Sequence, residues 1–87
     1  MVDGIHLKDR EKQVMKYLDK IGYDSPVRVQ IQFGWSRQKV FQTLDFLARA
    51  GYIERPQQGL ILSRAWMNKN PHKVAEISMV LRINLVG

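Results

Sequence analysis

Arg37, Gln38, Phe41 and Gln42 fall within one short stretch of the chain, and each has a way of meeting the edge of a nucleobase. A guanidinium can pair with guanine O6 and N7 together, a carboxamide with adenine N6 and N7, and a ring edge can pack on a thymine methyl. Each well-formed bidentate pair is worth about 1–3 kcal/mol of discrimination. Ser36 and Lys39 suit a phosphate instead, because a helix N-terminus and an ammonium hold an anion without reading sequence. Arg28 and Arg55 are further phosphate candidates. Arg64, Lys69 and Lys73 are weaker ones. For each of these side chains the alternative is simple solvation, the usual fate of a surface glutamine.

Such a set works only if one element presents it, and the stretch from Trp35 to Ile53, WSRQKVFQTLDFLARAGYI, has that layout. Ser36 is a good N-cap for a helix over 36–50. Val40, Leu44 and Leu47 recur at i, i+4 and i+7, Ala48 widens the stripe, and Gly51 is placed to end the helix. Gln38, Gln42 and Asp45 cluster roughly opposite that stripe, with Arg37 and Phe41 at the border. A helix with its leucines behind and hydrogen-bonding side chains near its N-terminus fits a DNA major groove.

The charge points the same way. Of the net +6, residues 1–27 contribute nothing, with five basic and five acidic residues, and Glu76 cancels Arg82 in 74–87. The excess lies in 28–73, where eight basic residues face Asp45 and Glu54. A basic middle between neutral ends is the footprint of a polyanion partner, against the alternative of ordinary solubility charge. Eighty-seven residues make one domain. Without cysteine there is no disulfide framework, thiolate nucleophile or zinc finger. No apolar run is long enough to span a membrane, and MVDGIHLKDR lacks the order of a signal peptide, so a cytoplasmic location is expected.

The flanking elements are legible to different degrees. LKDREKQVMKYLDKI, 7–21, predicts an amphipathic helix on Val14, Leu18 and Ile21, helped by Met15 and Leu7, with acidic residues early, basic ones late and Gly22 as its stop. Lys8 stands where a serine or threonine cap would be expected. In SPVRVQIQFG, 25–34, Ser25 followed by Pro26 starts a helix, while Val27, Val29, Ile31 and Phe33 alternate as in a strand. A short helix is favoured, because Gly34 then turns into a second capped helix and gives helix–turn–helix. Residues 52–55 and 59–63 flank Pro56-Gln57-Gln58 and predict a β-hairpin.

Helix, turn, helix and hairpin resemble the winged helix–turn–helix domain of bacterial and archaeal regulators, similar to MarR-type proteins and the DNA-binding domain of LexA-type repressors. The residues that carry the resemblance begin with L-x-x-x-E-x-x-V-M-x-x-L from Leu7 to Leu18 and F-G-W-S from Phe33 to Ser36. They continue with V-x-x-x-L-x-x-L-x-x-x-G-Y-I from Val40 to Ile53 and the hairpin closing at Gly59-Leu60-Ile61-Leu62. The resemblance implies a mainly α fold with a small β-hairpin, a winged helix over 1–63, and DNA as partner. Two departures stand out. Gln30 occupies a position where such domains carry a small alanine, and the hairpin tip is short and uncharged, which argues against a deep minor-groove contact.

Residues 64–87 form a C-terminal extension that packs on the domain or makes a dimer interface. Arg64–Lys69 predict a helical turn or two, and Asn70-Pro71 punctuates or caps a new helix. Ile77, Met79, Leu81, Ile83 and Leu85 take every odd position, which favours an extended segment over an all-round apolar helix. In either form it needs a cover. Phe46 projects away from the main stripe, so that flank too should meet residues 74–86 or a partner. Trp35 and Trp66 are read as core or interface rings.

The expected function is sequence-specific binding of double-stranded DNA, as a transcriptional regulator and homodimer, since one helix reads only a few base pairs. The rivals are a winged helix used for protein–protein assembly and a plasmid or phage replication or segregation protein. An enzyme is not expected. His6 and His72 lack metal-spaced partners, the serines lack a nucleophile context, and no cofactor, metal or small-molecule ligand is implied.

Overall fold

The computed structural model describes residues 6–85; the first five residues of the stretch read for a leader, and Val86 of the apolar tail, lie outside them. Helix α1 runs Asp9–Ile21. Lys8 provides no side-chain cap, but Glu11 reaches back and accepts the Lys8 backbone N–H at 2.7 Å. That bond satisfies the N-cap's own N–H, the carboxylate half of a capping box. It also explains how Glu11 can be buried.

After Gly22 the chain makes a two-residue strand β1, Tyr23–Asp24, and enters helix α2, Pro26–Phe33. The Ser25 hydroxyl accepts from Arg28 N at 3.1 Å, Pro26 fills the first turn, and Gly34 closes the helix at φ 67°. The N-terminal signal therefore prevails over the alternation. Only Val29 is fully buried, while Val27 and Ile31 stand out in solvent. Helix α3, Arg37–Arg49, follows after the three-residue link 34–36; its N-cap hydroxyl, on Ser36, accepts from Lys39 N at 3.2 Å. It ends in a Schellman motif, Gly51 N donating to Ala48 O and Tyr52 N to Leu47 O.

Strands β2, Ile53–Gln57, and β3, Leu60–Ser63, form the hairpin, with an irregularity between Glu54 and Gln57 where Pro56 cannot donate to the ladder. β1 adds to the other edge of β3, Tyr23 opposite Leu62, and completes a three-stranded antiparallel sheet of order β1-β3-β2. The architecture is thus mainly helical with a small antiparallel sheet. Val14 and Leu18 of α1 meet Val29 of α2, Leu44 and Leu47 of α3, and Ile61 of the sheet in one core. Ile21, expected to prolong the α1 stripe, is 38% exposed. It lies on the last turn, where the chain bends at Gly22 and the core has ended. Thr43, which the sequence pattern left unassigned, is fully buried and satisfies its hydroxyl on Lys39 O at 2.7 Å.

Helix α4, Arg64–Lys69, packs on α1 and β3, and helix α5, Pro71–Leu81, packs on α4. Residues 77–81 of the expected extended segment are therefore helical. Pro71 at the first turn commits the backbone to helix up to Leu81, and Arg82 stops it at φ 55°. A strand here would need a ladder partner, and a helix satisfies its own amides. The alternation of Ile77, Met79 and Leu81 then cannot define one face. Val74 is buried, Ile77 is half-buried, and Met79 and Val80 are each 78% exposed. Ile83 and Leu85 follow the helix and are half-buried.

Candidate nucleic-acid interface

The first two turns of α3 carry the four residues singled out for base contact. Arg37, Gln38 and Gln42 are exposed, and Phe41 is half-buried. Val40, Thr43, Leu44 and Leu47 hold the opposite side of the helix in the core. Ser36 is exposed, and its hydroxyl is already engaged as the cap. Lys39 is directed elsewhere: its Nζ lies 4.3 Å from the centre of the Trp35 ring. Trp35 stacks on Phe33 at 4.8 Å, and Phe33 meets Tyr17 edge-on at 5.7 Å. Tyr17 Oη donates to Asp24 at 2.5 Å, and this hydrogen bond raises its pKa above the ordinary tyrosine value. Trp35 thus belongs to the rim of the core, as its reading as a packed ring implied.

The arginines differ in what lies beside them. Arg28 lies 3.9 Å from Asp24, Arg49 is 3.1 Å from Asp45, Arg10 is 3.8 Å from Glu11, and Arg64 closes an ion pair and hydrogen bond with Glu54. Arg37 and Arg55 make no such pair among the described residues. Both converge on Phe41 instead, with guanidinium carbons 5.1 and 5.8 Å from its ring centre. Arg37 arrives from one turn earlier on α3, a spacing visible in the sequence. Arg55 arrives from β2, so only the fold brings it there.

Beside that ring is a cleft of about 430 Å³ between the start of α2, α3 and the hairpin. Gln30, Gln57 and Gln58 line it with Ser25, and none of its lining residues is acidic. Gln30, which departs from the alanine of the resembled domains, is therefore a wall of this cleft. Nothing in the sequence pattern singled out Gln57 and Gln58 to join it. A larger hollow of about 650 Å³ lies between the hairpin and the C-terminal segment, and there the only charged lining residues are the closed pair Glu54 and Arg64. Phe46 is 38% exposed.

Among the described residues no cluster of three metal-ligating side chains occurs, and no helix is long and apolar enough to cross a membrane. No known protein family, curated protein or solved structure matches the chain.

Proposed function

We propose that the protein is a winged helix–turn–helix regulator that binds double-stranded DNA, with α3 in the major groove and the β2–β3 hairpin as the wing. The observation that carries this reading is the pairing of an exposed amide face on α3 with two unneutralised arginines, one from α3 and one from the hairpin. A major groove admits an α-helix, and carboxamides on its leading turns can reach adenine edges. Gln38 and Gln42 fill that role here. The amide groups at the start of α3 and the neighbouring cations hold the backbone phosphates.

One helix covers only a few base pairs, so we further propose that two copies bind two half-sites about one helical turn apart. Their contact would be made by α5, where Met79 and Val80 are exposed beside Lys73 and Glu76. In a two-fold arrangement one copy's Lys73 can face the other's Glu76 across the apolar centre.

The test is enrichment of duplex sites from a random-sequence pool, followed by anisotropy titrations of the selected and random duplexes across salt. Binding to the selected site at least about a thousandfold tighter, with a steep salt dependence, is expected. Equal and weak binding to both duplexes would sink the proposal. A protein–protein assembly module is the second reading, favoured by Val27 and Ile31, 62% and 74% exposed one turn apart on α2. Its outcome is failure to stay on a heparin or DNA column at moderate salt.

A further inference from the structure

We infer that Arg37, Phe41 and Arg55 form a single phosphate seat that joins the recognition helix to the hairpin, with Phe41 positioning both guanidinium groups. The inference rests on the duplex-DNA reading above. It reassigns Arg37 from base reading to phosphate binding, and Phe41 from a thymine contact to a positioning residue.

Electrostatics makes the case. At 5.1 and 5.8 Å from one ring centre, the two guanidinium carbons can be no further apart than those lengths laid end to end. That is about one Debye length at ~0.1 M salt, so each cation feels the other. Elsewhere among the described residues, Arg10, Arg28, Arg49 and Arg64 each have a carboxylate beside them. Here no carboxylate lies within ion-pair distance among the described residues, and the ring's quadrupole offsets only part of the repulsion. An anion placed between the two turns that repulsion into a double attraction.

The surroundings suit a phosphate group. The cleft lining contributes hydroxyl and amide donors from Ser25, Gln30, Gln57 and Gln58 and no competing carboxylate. Planar guanidinium groups offer paired N–H donors that match phosphate oxygens. Because one arginine sits on α3 and the other on β2, a single phosphate would fix the angle between helix and hairpin. Gln38 and Gln42, pointing away from the core on the same turns, would then be set in register against the bases.

Two cations serving one anion do not act independently, and a double-mutant cycle reads that directly. The panel is Arg37→Ala, Arg55→Ala, their double variant, Phe41→Leu and Phe41→Trp, each titrated on a selected and a random duplex across salt. Each arginine change should weaken binding about 10- to 100-fold, equally on the two duplexes. The double variant should lose little more than the worse single one. The salt slope should fall by about 0.9 for one lost phosphate contact in each single variant and no further in the double. Phe41→Leu should lose affinity on both duplexes, and Phe41→Trp should keep it, since indole holds cations at least as well.

Thermal melts of every variant separate misfolding from lost binding; if Phe41→Leu melts early, the arginine cycle and Phe41→Trp decide. Losses that multiply in the double variant, with the Arg37→Ala loss confined to the selected duplex, overturn the shared seat and leave DNA binding standing. Absence of duplex binding by the unmodified protein overturns the DNA reading itself.

Discussion

Replacing Gly22 by alanine tests whether the C-terminal extension is built into the domain. Gly22 ends α1 at φ 94°, its N–H donates to Leu18 O at 2.6 Å, and its carbonyl accepts from Ser63 N at 2.8 Å. The Trp66 indole of α4 lies directly over it, and a Cβ there would overlap the ring carbons Cδ2 and Cε2. Neither side can yield easily. Moving the Gly22 backbone breaks its two hydrogen bonds. Moving Trp66 strains α4, whose first turn is capped by the Ser63 hydroxyl.

Two costs therefore add. A positive-φ backbone outside the left-handed helical well, φ 94° and ψ −51°, costs an L residue at least about 1–2 kcal/mol, and forcing a methyl into a packed contact costs about 1–3 kcal/mol more. The total of about 2–5 kcal/mol corresponds to a fall in Tm on the order of 10–30 °C for a domain of this size. Gly51→Ala supplies the control. Its φ is 85°, yet nothing lies within 4 Å of the added carbon, so it should lose only the backbone part. Urea denaturation followed by circular dichroism gives both values. In the Gly22→Ala background, Trp66→Leu should restore part of the loss, because the smaller side chain frees the space. If Gly22→Ala and Gly51→Ala destabilise alike, and Trp66→Leu brings no recovery, then α4 does not rest on Gly22 and the extension is not part of the domain's packing.

Two other expectations follow from the same contacts. Tyr17 donates to Asp24, and its raised pKa means that folding favours the protonated phenol. That contribution is complete below pH about 10 and is lost as pH rises through the raised folded-state value. An alkaline stability profile that Tyr17→Phe leaves unchanged would refute the linkage. On α5, Met79→Gln with Val80→Gln should halve the solution mass measured by sedimentation equilibrium and weaken binding to a two-half-site duplex, while the melting temperature stays within a few degrees. A monomeric unmodified protein at the concentrations that bind DNA would remove the second copy as the cover of this helix.

How far the fold could be read in advance depended on how local each cause is. Helix α3 was legible because Ser36, the Val40-Leu44-Leu47 stripe and the Gly51 stop are all properties of adjacent residues. α2 was decided by Ser25 and Pro26 in the same way. Strand β1 was missed, since Tyr23 and Asp24 carry no pattern of their own and become a strand only where β3 offers an open edge. α5 was misjudged for the converse reason. Its alternation imitates a strand, but a strand needs a neighbour, and Asn70-Pro71 could have weighed more than the pattern after it.

The candidate site divides along the same line. The exposed positions of Arg37, Gln38 and Gln42 follow from helix geometry once the buried stripe is known. The net charge of the middle segment, in contrast, overstates what a polyanion would meet. Arg28 with Asp24 and Arg49 with Asp45 are i, i+4 pairs that could be discounted from the sequence. Arg64 could not, because its contact with Glu54 joins the start of α4 to the hairpin. What remains of the segment's arginines after these pairs are removed is Arg37 and Arg55 on one aromatic ring, with the lysines Lys39, Lys69 and Lys73 elsewhere in the segment. Surface ion pairs are individually weak, but they still decide which guanidinium groups are free to meet an incoming anion. If DNA is that partner, its affinity should be far more sensitive to Arg37 and Arg55 than to Arg28, Arg49 or Arg64, although the sequence weights all five equally. Similar losses on replacing any of the five would mean that diffuse charge, and not this arrangement, attracts the duplex.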